Sequence, residues 1–359
     1  MENYYIGGIQ QIGIGVVNLE EAWDWYIRMF GMDCRIFDDD SEARIMLPYT
    51  GGKPQARRAV LALNLQSGGG FEMWQYKDRK PVMAKERARL GDTGILICKM
   101  KVKDIGKAFD FFKGRNIPVM GDPAPDPSGK LTFFVVDPYG NIFQLLESNG
   151  WFAEEEKVSG GSFGVVIGVS SIDKSKGVYS GIMGYDEVVY DKTGIFPDLA
   201  NLPGGEGELR RVLLKCSKPF RGFFSNMFGQ SVIELISCTG QPGKNTLQDR
   251  FWGDPGFIHI CYDVRNIEEL KKHCEKSGFP FSVDSRLAYN DESFDMGEAA
   301  GHFAYIEDPD GTLIEFVETH KLPIFKKLGL YLDLKKRKEY KPLPDWMLKM
   351  LRFSRVKPE

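Results

Sequence analysis

Asp137-Pro138-Tyr139-Gly140-Asn141-Ile142-Phe143-Gln144 and Asp308-Pro309-Asp310-Gly311-Thr312-Leu313-Ile314-Glu315 are two copies of one phrase. Each is a DPxG turn, with an acid or amide four residues after the glycine. The copies lie at matching depths in the two halves of the chain, and only the second ends in a strong metal-binding side chain. A repeat whose copies differ at a ligand position can mark an architecture and a site at once.

Working outward, the self-similarity extends to the whole chain. Segment 9–32 reads as an alternating apolar strand, Asn18 as a helix N-cap, an amphipathic helix and Gly31 as its stop. Segment 162–185 has the same layout, with Asp173 near the helix start and Gly184 at the stop. Segments 94–118 and 256–280 form a second matched pair, each running from strand to a helix carrying Lys and acidic residues that closes at Gly or Asn with Pro behind. Further strand-like runs follow every unit. The expected fold is α+β: four βαβββ modules at about 8–77, 92–148, 162–238 and 254–319. The expected domains are 1–150 and 151–319, each holding two modules, followed by a basic C-terminal arm, 320–359.

Composition narrows the classes. A chain of 359 residues that is 42% hydrophobic can bury one large core or two ordinary ones. A net charge of -3 argues against a nucleic-acid partner. No apolar run reaches the roughly 18 residues of a membrane span. MENYYIGGIQQ does not read as a secretory signal, so the expected compartment is the cytoplasm. The six cysteines show no CxxC spacing, and Cys98, Cys216, Cys238 and Cys261 are expected as buried free thiols.

GFIHICYDV, YIEDPDGTLIEFVE, FFVVDPYGNIFQLLE and VIELIS, set in four βαβββ modules, resemble the vicinal oxygen chelate superfamily. That group includes glyoxalase I, bleomycin-resistance proteins and type I extradiol dioxygenases. The resemblance spans about residues 8–319. It implies that modules pair into cupped mixed β-sheets, and that a cup can hold one metal ion on ligands from the first and last strands of its modules.

Aligning the modules puts the first-strand slot five residues before a recurring valine: Gln11, Ile97, Gly164 and His259. The last-strand slot is Glu72, Gln144, Glu234 and Glu315. Alternation agrees, since Ile258, Ile260, Tyr262 and Val264 fall opposite His259, as Ile314 and Phe316 do for Glu315. Sequential pairing would collect Glu234, His259 and Glu315 beside Gly164. Crossed pairing, module one with four and two with three, would collect Gln11, Glu72, His259 and Glu315. It would leave Ile97, Gln144, Gly164 and Glu234 unable to hold an ion. Crossed pairing is the favoured expectation, and Glu72 against Glu234 separates the two.

Three oxygen donors and one imidazole suit a divalent Zn, Ni, Co, Mn or Fe(II), and no organic cofactor is evident. The implied activity is isomerase, epimerase or lyase chemistry on a small oxygen-chelating carbonyl compound. The metal would act as Lewis acid and Glu315 or Glu72 as general base. An Fe(II) ring-cleavage dioxygenase using Glu234, His259 and Glu315 is one alternative. A non-catalytic small-molecule binding protein is another.

His302 and Tyr305 are candidates to support the ligands, against a loop-edge role for the histidine and a core role for the tyrosine. His273 reads as solvated, and little weight falls on His320. Arg210 and Arg211 could face a cup and bind an anion, or lie on the surface. The GGG at 68–70 reads as a hairpin loop. The arm carries twelve Lys or Arg against four acids, leaving the remainder of the chain at -11. Its Phe325, Leu328, Leu330, Leu334, Trp346, Leu348 and Leu351 are too many for a disordered tail. The arm is expected to pack on the acidic modules or on a partner subunit, which would allow a homodimer. A membrane-surface helix is the alternative.

Overall fold

The structure, a computed structural model, describes residues 4–288, 294–295, 300–325, 330–335, 337 and 341–358. Module one comprises β1 (Tyr5–Gly15), α1 (Leu19–Phe30), β2 (Cys34–Glu42), β3 (Ala56–Leu63) and β4 (Gly70–Tyr76). Module two comprises β5 (Gly94–Val102), α2 (Ile105–Gly114), β6 (Ala124–Pro125), β7 (Leu131–Val136) and β8 (Ile142–Glu147). Module three comprises β9 (Ser159–Gly168), α3 (Ile172–Tyr179), β10 (Glu187–Gly194), β11 (Leu209–Lys215), α4 (Ser225–Phe228) and β12 (Val232–Cys238). Module four comprises β13 (Gly256–Arg265), α5 (Ile267–Lys276), β14 (Val283–Asp284), α6 (Ser285–Ala288), β15 (Phe294–Asp295), β16 (Ala300–Glu307) and β17 (Leu313–Phe325). The arm adds β18 (Leu330–Asp333) and α7 (Asp345–Lys349).

These strands form two curled mixed sheets, and the modules cross. One sheet runs β14-β16-β17-β13-β1-β4-β3-β2, joining module four to module one. The other runs β10-β11-β12-β9-β5-β8-β7-β6, joining module three to module two. The seams are antiparallel pairs of first strands: β1 with β13, and β5 with β9. Each half of the chain therefore lends one module to each sheet.

The helices form where the alternation switches to a helical period, and their caps are local. The side chains of Asn18, Asp104 and Ser171 accept from backbone N–H groups three residues on. At α5 the capping carboxylate comes from another element: Glu318 accepts from the backbone N–H groups of Asn266 and Ile267. Helix α3 ends at Tyr179, five residues ahead of Gly184, and the chain continues as turns through Gly181–Met183. The buried faces of α1, α2, α3 and α5 meet the convex side of both sheets in one continuous apolar cluster.

The DPxG phrase is a clamp between the modules of one half. Asp137 accepts from the N–H groups of Tyr139 and Asn141, and Asp308 from those of Asp310 and Thr312. Gly140 and Gly311, with φ of 89° and 82°, complete turns that a side chain would strain. Tyr26 of α1 then donates to Asp137 at 2.6 Å, and Tyr179 of α3 to Asp308 at 2.9 Å.

Several expectations need correction. A β-bulge at Gly13–Ile14 sends Ile258 to the cup side with Trp74 and Trp252, and leaves Phe257 on the helix side. The GGG segment closes the β3–β4 hairpin as expected, and Gly69 is in addition bridged to Ser162, so the same loop pins one sheet to the other. Cys216 and Cys238 are only partly buried, whereas Cys34 and Cys274 are buried. Near the arm, β17 runs straight on into a hairpin with β18. Leu334, Leu343 and Leu348 pack with Phe152, Phe223 and Phe224 over the first cup. The backbone is fastened by Leu334 N–H to the His320 carbonyl (2.8 Å) and Leu343 N–H to the Phe223 carbonyl (2.9 Å). Trp346 is exposed and anchors nothing, and Leu328 lies outside the described residues.

Candidate metal centre

Crossed pairing brings Gln11 (β1), Glu72 (β4), His259 (β13) and Glu315 (β17) together on the concave side of the first sheet. Alternation explains it on β4 and β17, where Phe71 and Met73 or Ile314 and Phe316 enter the helix-side core; on β13 Ile260 does so, while the bulge leaves Ile258 on the cup side with His259. Gly13, opposite His259 in the register, is the only residue type that fits there, because any Cβ would run into the imidazole.

The His259 Nε2 lies 3.2 Å from an oxygen of Glu72 and 3.2 Å from an oxygen of Glu315. Neither approach has hydrogen-bond geometry, and both ring nitrogens are buried without a partner. Gln11 reaches the two carboxylates only through long contacts of 3.4 and 3.3 Å, and its Oε1 is also unpartnered. The four side chains converge on a point more than they pair with each other. Ligand atoms of Glu72, His259 and Glu315 all fall within 4.8 Å of one another, as a shared cation requires. Orphaned buried polar atoms are uncommon in folded proteins, and here they crowd one spot.

The ring of His259 is held by its neighbours. Trp252 stacks on it at 5.8 Å and 20°, and Tyr305 stands edge-on at 5.7 Å. Tyr305 is the cross-strand partner of Glu315. Burial works against a charged imidazole, but Glu315 and Glu72 outweigh it and raise the His259 pKa. Burial also lifts Glu315 to about 7, opposed by His259 and reinforced by the Glu72 charge. Two carboxylates in so dry a place want more positive charge than one imidazole supplies.

The second cup holds the other four slots: Ile97, Gln144, Gly164 and Glu234. It carries its own cations. Lys99, two residues beyond Ile97, donates to Gln144 and to Glu234 (2.7 Å). Its stem passes 3.3 Å from where a Cβ of Gly164 would stand, in the space an absent slot side chain leaves. Arg211 binds the other oxygen of Glu234 at 2.6 Å and Asp198 at 2.8 Å. Burial alone would raise the Glu234 pKa, but Arg211 and Lys99 hold it down at about 2. Arg211 is thus neither a surface residue nor free for an anion, and Arg210 points outward to Asp191. Lys99 and Asp198 went unnoticed in the sequence. A lysine in the all-apolar run GILICKM was the available signal.

Glu234 therefore stands in a different sheet from His259 and Glu315, and the set Glu234–His259–Glu315 is not brought together. His302 alternates with Ala304 and Ile306, away from Tyr305, and lies across the strand pair from Glu318 and 4.6 Å from the His320 ring. These three are also close enough to share an ion. However, Glu318 already caps α5 and pairs with Arg265, while Arg286 and Lys335 add positive charge beside His302. His273 contacts the Gly181 carbonyl and the Tyr4 ring.

Comparison with known proteins agrees with this fold. The model of the Glyoxalase/Bleomycin resistance protein/Dioxygenase superfamily matches residues 8–145 and 164–316, and the chain belongs to that superfamily. Glyoxalase I from Zea mays superposes with a TM-score of 0.54 at 14% identity, over 87% of this chain and 92% of that one. A proposed dioxygenase from Bacillus subtilis superposes with a TM-score of 0.54 at 14% identity, over 99% of this chain and 98% of that one. At such identity the likeness concerns the fold. Comparison with curated proteins finds no significant sequence match. Among the described residues, no helix is long and apolar enough to cross a membrane.

Proposed function

We propose that this protein is a metal-dependent isomerase, epimerase or lyase of glyoxalase type, acting on a small oxygen-chelating carbonyl compound. The observation that carries the reading is the contrast in buried charge. Glu72 and Glu315 face one imidazole and one amide, whereas the corresponding carboxylate of the other cup, Glu234, has two cations bonded to it. Gln11, Glu72, His259 and Glu315 would hold one divalent ion. That ion supplies Lewis acidity, which stabilises negative charge developing on a substrate oxygen.

The chain's own residues do the rest. Trp252 and Tyr305 fix the imidazole, and the apolar wall of Phe37, Trp74 and Trp252 limits water at the reacting carbon. Glu315 and Glu72 are the general-base candidates. A glutamate carboxylate that leaves the ion can take a proton from a carbon beside a carbonyl and return it. Tyr305, next to Glu315, steadies that carboxylate.

Metal analysis tests the reading. Protein reconstituted anaerobically should bind about one equivalent, lose it in Glu72→Ala, and keep it in Glu234→Ala. Less than about a tenth of an equivalent in the unaltered protein would sink the enzyme reading and leave a binding protein.

A further inference from the structure

The last helical turns of the arm carry a second apolar edge, and it faces solvent. Helix α7 (Asp345–Lys349) runs on into a tighter 3-10 turn, Met350–Ser354. Positions 346, 350 and 353 are four and three apart, so Trp346, Met350 and Phe353 share one edge of these turns. Met347, Leu348 and Leu351 lie on the other side and pack into the cluster of the first cup. Trp346 is 64% exposed and Phe353 74%. Single exposed apolar residues are ordinary on a protein surface, but two exposed aromatic rings on one helix edge are not.

This edge is held in place from both ends. Upstream, the Leu343 N–H donates to the Phe223 carbonyl (2.9 Å), and downstream the Val356 N–H donates to the Asp33 carbonyl (2.9 Å). Arg355 pairs with Asp33 and Glu155, and Asp345 accepts from Asn226 of α4 at 2.9 Å. The turns are thus fixed on the body of the protein with the aromatic edge outward. Their surroundings are basic, since residues 341–358 hold five Lys or Arg and one acid. The Arg352 guanidinium stands 5.1 Å from the centre of the Phe353 ring. Neither Arg352 nor Lys357 has an acidic partner among the described residues.

We infer that this edge is a docking face for an anionic lipid bilayer. Trp346, Met350 and Phe353 enter the boundary between headgroups and acyl chains, while Arg352 and Lys357 meet the lipid phosphates. Aromatic side chains flanked by cations suit that boundary, because it offers apolar depth beside negative charge. A second copy of the chain fits less well. A stable interface buries about 800 Å² per partner, whereas each exposed ring offers about 200 Å². The acid excess of the chain outside the arm, at -11, keeps its other faces off a negative membrane. Attachment therefore has one orientation, with the arm toward the lipid.

Co-sedimentation of the full chain with lipid vesicles tests this. Phosphatidylcholine vesicles containing one-third phosphatidylglycerol should bind it at least about tenfold tighter than pure phosphatidylcholine, and added salt should weaken the binding. Trp346→Ser combined with Phe353→Ser should lower the affinity about tenfold or more. The thermal midpoint should stay unchanged, because both side chains are exposed. Arg352→Glu, which keeps both rings, should also weaken binding to the charged vesicles by about tenfold or more. Val188→Ser with Val189→Ser, an exposed apolar pair on β10, is the matched control and should bind as the unaltered protein does. No preference for the charged vesicles would overturn the inference, as would equal losses in the control and in the aromatic variant. A dimer that the aromatic substitutions dissociate, in a protein that ignores vesicles, would give the face to a second copy instead.

Discussion

The two cups of this molecule bury carboxylates at equivalent positions and satisfy them by different means. In the second, the chain bends its own ammonium and guanidinium onto Glu234; in the first, no Lys or Arg among the described residues pairs with Glu72 or Glu315. The register makes the contrast sharp. Lys99 lies beside Gln144 in β5–β8 as Cys261 lies beside Glu315 in β13–β17, so one position carries an ammonium in one cup and a thiol in the other. On the metal reading, a module repeat keeps its architecture while exchanging a borrowed ion for a covalently attached one. The exchange costs a site but keeps the buried charge compensated.

The largest expected effect comes from forcing the first cup to resemble the second. Cys261→Lys places an ammonium beside Glu72 and Glu315, and metal affinity should fall by about a hundredfold or more while the far-ultraviolet circular dichroism is retained. Equilibrium dialysis with zinc reads it; undiminished affinity would dissolve the equivalence of the two positions. The converse change, Lys99→Met, strips Glu234 of one partner. It should cost about 3 kcal/mol in urea unfolding, with metal binding in the first cup unaltered.

A smaller effect sits one step further along the same strands, where Asp263 and Lys101 occupy equivalent, buried positions. Burial pushes the Asp263 carboxyl up to about 8, and neither of its oxygens has a hydrogen-bond partner. Burial likewise pulls Lys101 down to about 8. The folded protein keeps the Asp263 proton until about pH 8, whereas an unfolded aspartate loses it near pH 4. The unfolded state thus binds fewer protons in that window, and stability declines as pH rises through it. Asp263→Asn should flatten this decline and stabilise the protein by about 1 kcal/mol or more at pH 8. A pH series of thermal unfolding that keeps its slope in the variant would exclude Asp263 as the source.

Much of this was legible in the sequence because strands alternate with a fixed period. Four modules follow from a period of two and a recurring valine, whereas the ligand slots and the favoured crossed partnership of Gln11 and Glu72 with His259 and Glu315 rest on the resemblance to the vicinal oxygen chelate superfamily. The limits are as physical as the successes. Lys99 escaped because its long stem reaches back to a position that Gly164 leaves empty, so a slot counted on Cα positions misses it. Ile258 was misplaced because a β-bulge slips the period by one, and Arg211 because a buried guanidinium needs its partners, Asp198 and Glu234, in view. The arm's anchoring role could be read from its apolar content, but Trp346 shows that hydrophobicity alone does not tell which residues pack.

The crossing of modules also sets an order of assembly. Sheet β10 to β6 is built from residues 94–238 and can close once that stretch has left the ribosome. Strand β1 must wait for β13, whose partners in register, such as Gln11 and Cys261, are separated by most of the chain. At roughly 5–20 residues per second, the first module spends on the order of ten seconds or more with an unpaired edge. The cup with the internal cations is then the natural early scaffold, and the ligand cluster is completed last, when the final strands of the repeat arrive.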